Sequence, residues 1–286
     1  MGKAAQILLV ACRLGHRYLA PGYRITRDVA LLASLLCLSL SAESSTVNAG
    51  RYQAFWLWAA VRPQPVLNQA TTLYLHQGEV ARRHGKALFL RQGIPVSTLA
   101  VKHLWLTFRI ADLHLSETEQ RRMLRLWQRW VAAGNHVDGI QLDFDAKSHN
   151  LAQYATFLQT LRQQLPPDCR LSVTGLLDWA KTGDIRQLNR LNGVVDELVV
   201  QTYQGRNTVE NYADYLPALM KLSVPFRLGL VQHGKWDEQW QRRLAASPFY
   251  RGEVVFLLNP PPRDISPFWF LTIGDTAHPR LSLPAR

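Results

Sequence analysis

Apolar and polar positions alternate in short runs along most of this chain, and the period of the alternation switches repeatedly between two and about three and a half. Runs of period two, or unbroken apolar runs bounded by turn residues, read as strands. They fall at 53–61 ("QAFWLWAAV"), 87–92, 103–110 ("HLWLTFRI"), 137–145 ("VDGIQLDFD"), 170–177, 197–203 ("ELVVQTY"), 226–232 ("FRLGLVQ") and 253–259, eight in all. Helical runs fit between most of them. Ser116 and Glu119 form a capping box, "SETEQRRMLRLWQRWVAAG" carries Leu124, Trp127 and Val131 at helical spacing, and Gly134 supplies the stop. A second amphipathic helix over 151–165 ends at Pro166 and Pro167, and shorter helices are expected over 184–191, 209–222 and 236–246.

Eight strands with intervening helices predict an α/β fold, a (β/α)8 TIM-type barrel with a doubly wound open sheet as runner-up. The first and last units are irregular. Helix signals are weak between the first two strands, and "NPPPRDISPFWF" after the eighth is too rich in Pro to start an ordinary barrel helix. The tail over 263–286 is expected to cross the barrel mouth or cover an edge.

Composition narrows the setting. The chain has 286 residues with 47% apolar content, ample for one large core. Residues 29–42, "VALLASLLCLSLSA", are uncharged and follow Arg24 and Arg27. That is short for a bilayer span and right for the apolar core of an export signal. We therefore expect residues 1–42 to be an export signal or an uncleaved membrane anchor, 43–51 a linker, and 52–262 the barrel. The protein is expected to be exported to the periplasm or cell envelope, with membrane association possible through the N-terminal segment. Of the formal charge of +12, about +8 stays with the rest of the chain after Lys3, Arg13, Arg17, Arg24, Arg27 and Asp28 are set aside. These charges are dispersed and no nucleic-acid motif accompanies them, so nucleic acid is not an expected partner. Arg121, Arg122, Arg125 and Arg129 form a basic stripe on one helix, read as a solvated outer face, with attraction to anionic lipid or acidic polysaccharide as its functional counterpart. Cys169 is alone once Cys12 and Cys37 fall in the targeting segment, and reads as a packing residue.

The chemistry gathers on the fourth strand. Alternation turns Gln141, Asp143 and Asp145 to one face and Ile140, Leu142 and Phe144 to the other, with the two carboxylates about 7 Å apart along the strand. In a barrel of this type the reacting groups sit at the C-terminal ends of strands. By the same rule Arg109 ends the third strand, Asp178 and Trp179 follow the fifth, Gln201 and Tyr203 end the sixth, and His233 ends the seventh. Trp179 and Trp269, in loops after strands, are candidates for stacking on sugar rings, whereas Trp56, Trp58, Trp127 and Trp130 read as core.

"DGIQLDFD" resembles the fourth-strand motif DGxDxDxE of glycoside hydrolase family 18, the chitinase-like barrels. Asp138 and Gly139 match its opening, Asp143 its second strand Asp, Gln141 replaces the first, and Asp145 stands where that family has its general-acid Glu. "QTY" at 201–203 resembles the sixth-strand MxY, with Tyr203 matched. The text from "FWLW" through "VVQTYQG" is also similar to an uncharacterised family of bacterial envelope proteins with a glycosidase-like barrel. The resemblance implies catalytic roles for Asp143, Asp145 and Tyr203 on a polysaccharide or oligosaccharide, with Gln141 and Gln201 beside them; Arg109, Asp178, Trp179, His233 and Trp269 are candidate substrate contacts from their places at strand ends and in the loops that follow. No cofactor is implied, and the sequence has no HExxH, paired CxxC or Gly-rich phosphate loop, although two close carboxylates could bind a divalent cation weakly. Family 18 uses the substrate's own acetamido group as nucleophile. An Asp in place of Glu withdraws the carboxyl by about 1.5 Å, so Asp145 either serves a differently placed oxygen or leaves a non-catalytic carbohydrate-binding barrel.

Overall fold

The computed structural model describes residues 45–144, 150–181 and 185–260, all within the unit Ser44–Arg286. In chain order its main strands are β1 (Ala54–Leu57), β2 (Thr72–Arg83), β3 (Lys86–Arg91), β4 (His103–Ile110), β5 (Val137–Asp143), β6 (Arg170–Leu176), β7 (Glu197–Gln201), β8 (Phe226–Val231) and β9 (Tyr250–Phe256). All but β3 pair parallel with two neighbours, and β9 returns to β1 through Val255 opposite Phe55, closing an eight-stranded barrel. The TIM-type expectation holds and the open sheet does not.

One strand was misplaced by pattern. The second barrel strand is β2, while the stretch expected there, 87–92, contains β3, an antiparallel hairpin arm that pairs only with the far end of β2. In β2 the unbroken apolar run is only Leu73, Tyr74 and Leu75 before His76 and Gln77, too short to signal a strand. The register with β4 shifts between His76 and Gly78, where a Cβ on Gly78 would lie 2.9 Å from the Phe89 ring. A side chain at position 78 would press on the Phe89 ring and the Leu90 carbonyl, 3.2 Å away, so the fold-back of the hairpin favours Gly there.

The helices follow the outer apolar shell. Helix α1 (Glu117–Ala132) begins with the expected capping box on Ser116 and Glu119. Its buried stripe is Met123, Leu126, Trp127 and Trp130, rather than Leu124, Trp127 and Val131; Leu124 is half-buried and Val131 is 42% exposed. Spacings of three and four keep the observed stripe on one face, and Trp130 Nε1 donates to Gln77 Oε1 at 2.8 Å, tying the helix to β2. The four arginines are exposed, as their outer-face reading requires. Helix α2 (Leu151–Gln164) stops before Pro166. There Arg162 donates to the carbonyls of Cys169 (2.9 Å) and Pro166 (2.8 Å), satisfying the turn that leads into β6. Cys169 is fully buried and burial pushes its thiol up to about 12, in keeping with a packing role.

Later helices are shorter than their patterns suggest: α3 (Asp178–Lys181), α4 (Ile185–Asn189), α5 (Leu216–Leu219) and α6 (Glu238–Leu244). Pro217 sits in the first turn of α5 and cannot lie inside a longer helix, which is why the expected span 209–222 is cut to a single turn. Part of the stretch read as a linker is packed: Ser45–Thr46 pairs antiparallel with Lys235–Trp236, Val47 and Ala49 are buried, and Arg51 forms an ion pair with Glu238. Among the described residues no helix is long and apolar enough to cross a membrane.

Candidate functional site

Inside the barrel the side chains form a graded stack along the axis. Nearest the N-terminal ends of the strands, Glu197 accepts hydrogen bonds from Tyr74, from Ser172 (3.4 Å) and from Arg227 Nε (2.8 Å). Burial, with Glu197 adding, drives the Tyr74 phenol well above its ordinary range, so it stays a neutral donor. One level up, Gln141 is 0% exposed and its amide is held at three points: Oε1 accepts from Trp56 Nε1 (2.6 Å) and Thr107 (3.1 Å), and Nε2 donates to Ser172 (3.0 Å). The Trp56 indole fits because position 229 is Gly, where a Cβ would stand 2.7 Å from the ring. This level closes the barrel to solvent from below.

Above it opens a cavity of about 590 Å3 at the C-terminal ends of the strands. Its floor and walls include Trp56, Arg109, Asp143, Asp178, Gln201 and Tyr203. Asp143 is 6% exposed, and Thr174 donates to its Oδ1 at 2.9 Å. Arg109 is its register partner on β4, and is exposed on the cavity side. Tyr203 lies beyond β7 on a small hairpin in which Tyr203–Gln204 pairs antiparallel with Asn207–Thr208 across a turn containing Gly205 at φ +58°. Its ring is 5.4 Å from that of Phe256, and Trp58 is 5.9 Å from Phe256 on the other side, so three aromatics line one wall. Strand ends thus bring a carboxylate, a guanidinium, an amide and a phenol into a cleft of ligand-binding size with an aromatic wall.

Trp58 stacks on His76 with ring centroids 3.9 Å apart and planes 2° from parallel. His76 is 1% exposed, and neither ring nitrogen has a hydrogen-bond partner among the described residues. Burial, partly opposed by the nearby Gly78 backbone and reinforced by Arg109, lowers its pKa to about 4. A pKa depressed on folding means that the unfolded chain holds the extra proton between the ordinary 6.5 and about 4. Stability present above pH 6.5 is therefore lost as pH falls toward 4, on the order of 2 kcal/mol once solvent screening is allowed for. Urea unfolding at pH 7 and pH 4.5 should show a larger acid loss for the wild type than for His76→Phe, which keeps a ring under Trp58 but cannot titrate. Equal losses would mean that the folded chain takes up the His76 proton as readily as the unfolded one.

Of the residues expected from sequence to form a site, Asp143, Arg109, Asp178, Gln201 and Tyr203 line the same cavity. Asp145 and Trp269 lie outside the described residues. Gln141 is buried beneath the floor, bonded to Trp56, Thr107 and Ser172, and does not line the cavity. Trp179 lies on α3 at 1% exposure and packs edge-on to Tyr154 in the shell between strands and helices, so it is a core residue rather than a stacking platform. His233 is exposed at φ +67°, with its backbone N–H bonded to Val47, and does not line the cavity. Trp58 was read as core and instead forms part of the mouth; its place just past the end of β1 is the signal that marks it.

Residues 101–219, the stretch carrying these five cavity residues, match a family described as "Domain of unknown function (DUF3142)". No curated protein matches the chain. Among solved structures, the chain is similar to the chitinase domain of the spore coat protein CotE from Clostridium difficile, at 12% identity and TM-score 0.43, over 67% of this chain and 70% of that one. It is also similar to a xylanase-alpha-amylase inhibitor protein (XAIP-I) in complex with trehalose, at 11% identity and TM-score 0.43, over 65% and 84%. A third is the Bacillus cereus spore cortex-lytic enzyme SleL, at 18% identity and TM-score 0.34, over 57% of this chain and 43% of that one.

Proposed function

We propose that this protein is an exported glycoside-hydrolase-like barrel that cleaves a glycosidic bond of an envelope or extracellular polysaccharide. The observation that carries the reading is the Asp143 carboxylate, held by Thr174 at the C-terminal mouth of the barrel in a cavity shared with Arg109, Asp178, Gln201 and Tyr203. Hydroxyl-rich ligands need such a mixture of donors and acceptors, and the apolar face of a sugar ring suits the wall of Trp58, Tyr203 and Phe256. In this reading Asp145, assigned from its place two residues beyond Asp143, protonates the leaving oxygen as the bond from the anomeric carbon breaks. Asp143 stabilises the positive charge that develops on the ring or orients a substrate group, and Gln201 and Tyr203 hold the sugar.

The test is reducing-end release by the purified chain from acetylated, deacetylated and acidic bacterial polysaccharides, with Asp145→Asn alongside. Release by the wild type that drops at least 100-fold in the variant supports the assignment. Release that is undiminished in Asp145→Asn removes the acid role from that residue. Saturable binding of a polysaccharide by both proteins without release would make this a barrel that recognises glycans and does not cut them.

A further inference from the structure

The opposite pole of the barrel holds a second group of chemically competent side chains. His103 opens β4, His136 immediately precedes β5, and Asp138 is the second residue of β5, so parallel pairing of the two strands sets all three side by side. One ligand-type atom from each lies within 4.8 Å of the others. His103 Nδ1 is 3.0 Å from Asp138 Oδ2, and the two imidazoles meet edge-on with centroids 5.5 Å apart. We propose that His103, His136 and Asp138 form a solvent-facing site for a divalent cation of the zinc type, at the end of the barrel away from the cavity and independent of any activity there.

The chemistry around each residue fits that use. His136 Nδ1 is 2.9 Å from the Lys102 carbonyl. A carbonyl only accepts, so Nδ1 carries the proton and Nε2 keeps its lone pair outward, the arrangement found in metal-binding histidines with a backbone partner on the other nitrogen. Asp138 is buried, and Arg170 approaches its Oδ1 at 3.5 Å, while His103 Nδ1 lies nearer Oδ2, at 3.0 Å against 3.4 Å from Oδ1. Arg170 is a charge that would oppose a nearby cation, but it is shared with Asp196 at 3.6 Å. Two nitrogens and one oxygen suit zinc, with water completing a tetrahedron. Zinc–ligand distances of about 2.0–2.1 Å place ligand atoms roughly 3.3 Å apart. The His103–Asp138 pair is already near that spacing, and the exposed His103 ring can turn to close the rest while His136 keeps its bond to Lys102. A bound ion would clip the start of β4 to the start of β5.

The experiment is calorimetric titration of zinc into the full chain after chelator treatment, comparing wild type, His136→Gln, the double variant His103→Ala/His136→Ala, and His114→Ala as an exposed histidine elsewhere. His136→Gln preserves a side-chain donor for the Lys102 carbonyl, so the fold is kept while the ligand is lost. The expected result is saturable binding in wild type and His114→Ala, at least tenfold weaker in His136→Gln and lost in the double variant. At a hundredfold excess over Kd, the wild type should also melt about 5 °C or more higher with zinc, and the double variant should not. The proposal is overturned if the wild type binds no zinc, or if binding survives unchanged in the double variant, which would place the ion on histidines or cysteines elsewhere in the chain.

Discussion

Truncation of Glu197 to Ala is expected to destabilise the barrel by about 3–5 kcal/mol, measured as the loss of unfolding free energy in urea at constant slope. The carboxylate sits inside the N-terminal half of the barrel and answers three donors at once: Tyr74, Ser172 and Arg227. Removing it leaves the Arg227 charge half-enclosed opposite an apolar gap and strips the Tyr74 hydroxyl, itself fully buried, of its acceptor. The loss has two parts, the Arg227 charge left without its carboxylate and the hydroxyls of Tyr74 and Ser172 left without an acceptor. Glu197→Gln keeps an acceptor of the same length but no counter-charge, so it should recover only the second part. Adding Arg227→Met to Glu197→Ala should restore part of the stability, because it removes the orphaned cation and fills some of the gap. A truncation cost under about 1 kcal/mol would show that water already reaches this level and that the network is screened.

The contrast between that interior and the sequence pattern explains what could be read beforehand. Ile140 and Leu142 announce β5 because they pack into the continuous outer shell, and the same shell makes Leu104, Leu106 and Phe108 announce β4. The inward face gives no such signal. It runs from charged through amide to aromatic residues, so polar positions such as His76, Thr107, Gln141, Ser172 and Glu197 stand where alternation alone suggests solvent. For this reason the pattern does not show β2 as a strand, and Gln141 reads as a ligand contact although it lies in the floor. Asp143, Arg109, Gln201 and Tyr203 could be found because the end of a parallel strand combines position with chemistry. Trp179 failed the same rule because the chain turns directly into α3, which carries its side chain back against Tyr154. Trp58 escaped it because tryptophans in strands are so often core that only the strand's early end at Leu57 exposes its different role.

Replacement of Asp143 by Asn is expected to lower polysaccharide cleavage by about 10²–10⁴-fold while leaving the fold and the affinity for uncleaved polymer nearly unchanged. Asn occupies the same volume and its carbonyl can still accept from Thr174, so the floor of the cavity should persist. What disappears is a full negative charge, held where water is largely excluded and positive charge would develop on the sugar ring as the bond breaks. An interaction that strengthens only as that charge appears acts on the rate and not on ground-state binding, so the loss should fall on kcat and leave KM nearly unchanged. If KM rises instead while kcat holds, Asp143 grips the substrate's hydroxyl groups and takes no part in the bond-breaking step. If the variant binds and cleaves like the wild type, the chemistry belongs to other carboxylates, of which Asp178, which follows the adjacent strand β6 and lines the same cavity, is the first to substitute.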